Sequence, residues 1–517
     1  MSTRLKGNVS TWAGSDVARS GNHDGTTILL SLFRALDMRL MLSTGVVPEL
    51  GLHARVVLLA PPELLPTLRA SFGDRVIYEP LQYGSSKYAS GVRTSAPVRR
   101  RLESLLTETF RLTYGRPNGR DNRTRALHAS SYRQTAPDAR VRLARELVLA
   151  LAFAASRSRV LRKALQALAA RVLRGHLHDE VFERWHPAVL VVCSVGLELD
   201  ARLILEARGQ SVPSIAVVQS WDKTSSKGYP LAAPDRVLVW SDVMARECAG
   251  FLDIPLKHVE VTGAPVFDLY FDPALHQPRT VFLESLGLDP ARKAIFCALC
   301  SPAYHAGNLA LASLLAGLVT EDCFPVPASL VLRVHPAYYE NTESRIAEQR
   351  RELFDLLDKL GTQASIHVNL PDVTEQETSY IINPADSEFV TNILANCDVS
   401  VSVLSTQMVE AALFDKPAVT IEYGHWSSNV LDADLVGFRL EHLERILEPG
   451  AIARVRTPDD LVLAIGDVFH DSTKRSAERA QLANQEVSAH HGTAATATAD
   501  AIRSFAAMGA VSRAPAS

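Results

Sequence analysis

Short apolar runs rich in Val, Ile and Leu recur along the chain, and most are followed by a stretch with apolar positions at helical spacing. A strand buried on both faces reads as a continuous apolar run, and two parallel strands need a crossover of a dozen or more residues, usually a helix. The alternation therefore predicts parallel sheets with helices on both faces. A first series of candidate strands comprises residues 55–60 (RVVLLA), 75–79, 188–193 (AVLVVC), 214–219 (SIAVVQ) and 236–240 (RVLVW). A second comprises residues 294–299 (AIFCAL), 329–334 (SLVLRV), 365–368, 399–404 (VSVSVL) and 418–422 (AVTIE). Residues 26–42 read as a helix.

Two such series predict an α/β chain with two Rossmann-like, doubly wound parallel-sheet domains. The length of 517 residues agrees, being well above the roughly 250–300 residues of a single hydrophobic core. Pro273, Pro278 and Pro290 punctuate the region between the series, which puts the boundary near residue 275. The expected layout is a first domain over 1–275 with an insertion at about 91–175, a second over 276–490, and a final helix with a flexible tail over 491–517.

Composition narrows the class. With 47% hydrophobic and 21% charged residues the chain is neither fibrous nor wholly disordered, and a net charge of −3 does not suit a general nucleic-acid binder. No run approaches the roughly 20 apolar residues of a membrane-spanning helix. The first residues (MSTRLKGNVSTWAG) lack the apolar core of a secretion signal, and the six cysteines show no paired regular spacing. These features together read as a cytoplasmic location.

Charge is unevenly distributed. Residues 93–174 hold 18 Arg and one Lys against five acidic residues, an excess of 14 positive charges that leaves the rest of the chain at −17. This segment reads either as a helical insertion with solvated arginines or as a basic surface for an anionic partner such as lipid phosphate, which would give peripheral contact with a membrane.

Five segments carry candidate chemistry. Ser405-Thr406 follow the strand VSVSVL, where a helix N-terminus and small hydroxyls suit a phosphate, with Glu410 one turn on to meet sugar hydroxyls. The same residues read equally as a capping box. Arg333 and His335 in RVHP alternate about Val334 at a strand end, so both face one way, toward the edge where open α/β sheets bind ligands. Their other reading is a surface Arg and a capping His. The turn from Ala298 to Asn308 places Ser301 and His305 before a helix start, the usual position for a nucleotide phosphate. The loop QSWDKTSSKG (219–228) offers Asp222 as a general base and Lys227 as a phosphate-neutralising cation. Near the start, Ser15, Asp16, His23 and Asp24 lie in a Gly-rich stretch; Asp16 is a candidate for deprotonating an acceptor, and Asp24 also reads as a helix cap. GxSxG, GxxxxGK[ST] and HExxH are absent, which disfavours serine-esterase, P-loop and zinc-protease chemistry. The lone Cys297-x-x-Cys300 lacks a second pair at zinc spacing.

RVHP, the strand ending in Ser405-Thr406, Glu410, and Lys416-Pro417 before the next strand resemble the C-terminal half of GT-B nucleotide-sugar enzymes. Among these they are most similar to CDP-glycerol glycerophosphotransferases, capsule-polysaccharide transferases and non-hydrolysing UDP-N-acetylglucosamine 2-epimerases. PDRVLVW (234–240) and TGAPVFD (262–268) look like the entry to that group's inter-domain linker. The resemblance covers about residues 188–425. It implies a GT-B-like fold with two domains facing across a cleft, and a diphosphate near Arg333, His335, Ser405 and Thr406 with Glu410 near ribose or sugar hydroxyls. It also implies a metal-independent glycosyltransferase without a cofactor, its donor a nucleotide-activated sugar and its acceptor an envelope polysaccharide or a lipid-linked glycan. A CDP-polyol glycerophosphotransferase, a 2-epimerase and a non-catalytic scaffold are the alternatives.

Overall fold

The computed structural model describes residues 25–82, 97–302, 307–339, 344–375, 380–422 and 440–511. By the contacts among its residues the chain divides into two compact units, one of residues 1–268 together with 487–517 and one of residues 269–486.

The first unit is built on seven parallel strands: β1 (Thr27–Ser31), β2 (Arg55–Ala60), β3 (Ile77–Pro80), β4 (Val189–Val192), β5 (Ser214–Val217), β6 (Arg236–Val239) and β7 (Val259–Val261). Their order is β3-β2-β1-β4-β5-β6-β7. Strand β1 replaces most of the helix expected over 26–42; only Ala35–Met41 is helical there. Its sequence, TILLS, is buried at every position, and it pairs with β2 on one side and β4 on the other. A central strand flanked on both sides has no polar face to mark its period, so the apolar run alone cannot separate it from the following helix. Among the described residues five α-helices, Pro97–Arg111, Arg123–Gln134, Ala139–Arg157, Arg159–Leu173 and Asp179–Trp185, lie in sequence between β3 and β4.

The second unit carries six parallel strands, β8 (Lys293–Ala298), β9 (Ala328–Arg333), β10 (Ile366–Asn369), β13 (Val399–Ser402), β14 (Ala418–Ile421) and β15 (Ile452–Val455), in the order β10-β9-β8-β13-β14-β15. Between β10 and β13 a small antiparallel pair, β11 (Val373–Glu375) and β12 (Tyr380–Ile382), stands apart. Both large sheets are thus doubly wound, as the pattern of apolar runs predicts.

The TGAPVFD segment docks the last helix, Ala494–Val511, onto the first unit. The Asp268 carboxylate accepts from the Ala494 and Ala495 N–H groups at 3.0 and 2.7 Å, capping that helix, and the Thr498 hydroxyl meets that of Thr262 at 3.2 Å. Gly263 sits at φ +78°, and a Cβ there would lie 2.4 Å from the Ala489 carbonyl oxygen, so glycine is required on two counts.

Candidate functional site

In the second unit the chain leaves β8 outward through β9 to β10, then crosses back to β13 and proceeds through β14 to β15. Such a reversal opens a crevice at the C-terminal ends of the two strands that flank it, here β8 and β13. Side chains knit the strand ends together. The Ser402 hydroxyl donates to the Ala298 carbonyl at 2.7 Å, joining β13 to β8. The Asn308 side chain clasps Cys300 through both its main-chain groups at 3.0 and 2.7 Å and reaches the Tyr338 hydroxyl at 2.9 Å, tying the loop after β8 to the turn after β9. The turns bearing Ser301, His335 and Ser405 are therefore neighbours at one edge. Ser301 is buried; His305 and Asp16 lie outside the described residues.

Ser405 stands at the N-cap of the helix Thr406–Leu413 in extended conformation, yet its side chain makes no capping bond, and no acidic residue occupies the first turn. Glu410 is the fifth residue of this helix, two beyond the third position that a capping box requires, so the capping-box reading is excluded. Glu410 itself is buried. A helix start without a side-chain cap or carboxylate of its own presents a positive dipole end that favours an anion.

His335 precedes the turn Pro336–Tyr339. Its Nδ1 accepts from the Ala337 N–H at 3.0 Å, so the ring proton resides on Nε2. Burial, helped by nearby Arg333, lowers its pKa to about 4. At neutral pH His335 is consequently an uncharged ring whose available group is an N–H donor, suited to binding an oxygen and ill suited to taking a proton.

Arg333 is engaged sideways. Its guanidinium pairs with Asp386 at 2.6 Å and with Asn369, 5.9 Å from the Phe389 ring centroid. Asn369 belongs to β10, on the side of β9 away from β13, and Asp386 to the helix Pro384–Asn396. Its charge is thus spent on holding β9, β10 and that helix together. On the same edge Glu422, at the end of β14, binds Arg454 and Arg456, the latter at 2.5 Å. Glu422 is buried while the two arginine side chains are about half exposed (49% and 60%), which leaves cationic surface facing solvent.

The first unit reverses direction between β1 and β4, and a charged cluster that the sequence pattern did not reveal sits there. The Arg34 guanidinium bonds Asp37 at 2.9 Å and Asp200 at 3.0 Å. Asp37 also accepts from the Phe33 and Arg34 N–H groups at 3.0 and 3.1 Å. Both carboxylates are buried, whereas the Arg34 side chain is 29% exposed. Burial raises the Asp200 pKa, and burial lowers that of Lys223 to about 8, with Asp222 pulling it back up. Lys223 feels Arg34, Asp37, Asp222 and Lys227, which makes the loop 219–228 one side of this cluster. Within that loop Asp222 accepts from the Ser226 hydroxyl at 2.9 Å and faces the Lys227 ammonium at 3.4 Å, both ends about a quarter exposed or less. Trp221 is buried as the loop's anchor, and Gly228 lies so close to the Phe110 carbonyl that a Cβ would come within 2.5 Å. Gln219, 4% exposed, has neither side-chain amide atom hydrogen-bonded. An unsatisfied buried amide is costly and marks a position that a ligand can satisfy. The sequence signal was Arg34-x-x-Asp37 at a helix start; its partner Asp200 is too distant in sequence to be paired by inspection.

The chain matches no protein-family model and no curated protein sequence. Solved structures similar to it include a glycosyltransferase from Rickettsia africae, at 11% identity and TM-score 0.46 over 94% of this chain and 99% of that one. A UDP-GlcNAc 2-epimerase from Neisseria meningitidis bound to UDP-GlcNAc is similar at 12% identity and TM-score 0.45, over 93% and 99%. The wall teichoic acid polymerase TagF is similar at 12% identity and TM-score 0.39, over 62% and 74%.

Proposed function

We propose that the protein is a glycosyltransferase that moves a sugar from a nucleotide diphosphate donor to an envelope-polysaccharide or lipid-linked acceptor. One observation carries the reading: at the switch point of the second sheet, a helix start at Ser405 with no side-chain cap and no acid in its first turn follows β13, and a neutral N–H donor, His335, follows β9, with β8 between them. Both groups favour oxyanions, and together with Ser301 they form a pyrophosphate seat. Thr406 contributes its hydroxyl and Glu410 the carboxylate for ribose or sugar hydroxyls.

In the reaction the acceptor oxygen bonds to the anomeric carbon while the bond from that carbon to the phosphate oxygen breaks, and the nucleotide diphosphate leaves with one more negative charge. The Ser405 helix start and the His335 N–H neutralise that developing charge. The acceptor's proton passes to a base, and within the first unit the candidate for that role is the Asp222 carboxylate, paired with Lys227 at 3.4 Å. Arg333 acts at one remove, fixing the turn that carries His335.

A melting-temperature panel with UDP, GDP, CDP, ADP and CMP tests the reading. A ligand that binds only the native state at 100 times its Kd adds about 2.7 kcal/mol, so at least one diphosphate should raise Tm by several degrees and CMP by much less. The matching nucleotide sugar should then release that diphosphate in the presence of an acceptor. No shift with any diphosphate overturns the proposal, and CMP release from a CDP-linked polyol replaces sugar transfer with phosphopolyol transfer.

A further inference from the structure

The helix Ala139–Arg157 is amphipathic in an unusual sense, because it shows apolar residues on two opposite sides. Val148, Leu149, Ala152 and Ala155 are buried, the first three in a core with Leu112. Leu143 and Leu147 are each 67% exposed, and Ala150 and Ala154 are exposed with them. Their spacing of i, i+4, i+7 and i+11 makes one continuous stripe on the face turned away from that core. Val160, at the start of the next helix, is 81% exposed, and Val98, at the start of the helix Pro97–Arg111, is 76% exposed.

Charge around the stripe is predominantly positive. From residue 97 to 174 the chain has 17 Arg and one Lys against five acidic residues. The one carboxylate of the stripe-bearing helix, Glu146, is bound by Arg133 at 2.5 Å. Arg140 and Arg142 flank the leucines, are exposed, and make no salt bridge among the described residues. Exposed leucines between unpaired arginines, on a helix fixed by its other face, are the makings of an interfacial helix that lies along an anionic bilayer. A second copy of the chain fits poorly, since two surfaces of like charge would meet.

We infer that the Leu143/Leu147 stripe docks the protein on anionic membrane. The inference stands apart from the proposed catalytic reading and survives its failure. Sedimentation of the full chain with phosphatidylcholine vesicles, pure or containing about 30% phosphatidylglycerol, tests it. Binding should appear only with the anionic vesicles and weaken as salt is raised. Leu143→Glu/Leu147→Glu should lower it at least tenfold, and Arg140→Gln/Arg142→Gln severalfold, with the melting curve unchanged because these side chains are exposed. Leu143→Gln/Leu147→Gln serves if the glutamate pair disturbs folding. Failure of the native chain to sediment with anionic vesicles overturns the inference, as does equal binding by both leucine variants. So does a leucine variant that changes only the oligomeric state, or an acidic protein captured by the native chain in place of the vesicles.

Discussion

Asp386→Ala removes the buried carboxylate that balances Arg333. Arg333 is 8% exposed and Asp386 5%, and the pair is closed at 2.6 Å. Deleting one partner of a buried pair costs about 3–5 kcal/mol, since the remaining charge is left uncompensated. The Asp372 N–H, which donates to the same carboxylate at 3.0 Å, loses its acceptor for a further ~1 kcal/mol. For a unit of this size each kcal/mol moves Tm by about 2–4 °C, so a total of about 4–6 kcal/mol should lower melting of the second unit by roughly 8–24 °C. Replacing both partners, Arg333→Met with Asp386→Leu, should recover all but about 1–2 kcal/mol, because matched apolar groups need no counter-charge. Circular dichroism melting gives the stability, and UDP titration of the double variant gives the function. If Arg333 is a support, UDP binding in that variant stays within about threefold of the native chain, a difference under 1 kcal/mol. A single-variant cost below about 1 kcal/mol, or a loss of UDP binding beyond tenfold in the rescued double variant, refutes the assignment and restores Arg333 as a direct phosphate contact.

Three further outcomes are expected. Ser405→Asp supplies the missing cap, so it should stabilise the chain by about 0.5–1 kcal/mol while reducing nucleotide diphosphate binding at least tenfold, read by melting and titration together. His335 is held near pKa 4, against an ordinary value of about 6.5. It therefore contributes stability that is whole above about pH 6.5 and is lost as pH falls toward 4, at most about 3 kcal/mol. His335→Gln should flatten the fall in urea midpoint between pH 6.5 and 4.5 relative to the native chain. Asp268→Ala strips the cap from the last helix, and should cost about 1 kcal/mol and speed hydrogen exchange across Ala494–Val511.

Strands with long apolar runs set apart from the next helix, such as RVVLLA at β2 and SLVLR within β9, were legible in the sequence, whereas the equally buried β1 merged with the helix that follows it. The edge strands β7 and β15 were not legible, because partly exposed segments of three or four residues carry no such run. Of the site, motif spacing located the strand ends with Ser405 and His335. What it could not give is how each group is used. Proton placement on His335 depends on the backbone amide of Ala337, and the engagement of Arg333 depends on Asp386, 53 residues downstream. The Arg34 cluster stayed hidden for the same reason, since Asp200 lies 166 residues from its partner.

The last helix belongs with the unit that begins the chain, so the backbone passes from one unit to the other and back again. On a ribosome, where earlier segments ordinarily settle first, the opening seven-stranded sheet must wait, its docking place at Gly263 and Asp268 bare, until more than two hundred later residues have emerged. Truncated translation products should therefore present that vacant seat to chaperones and proteases, and a short deletion at the far end should injure the beginning of the molecule.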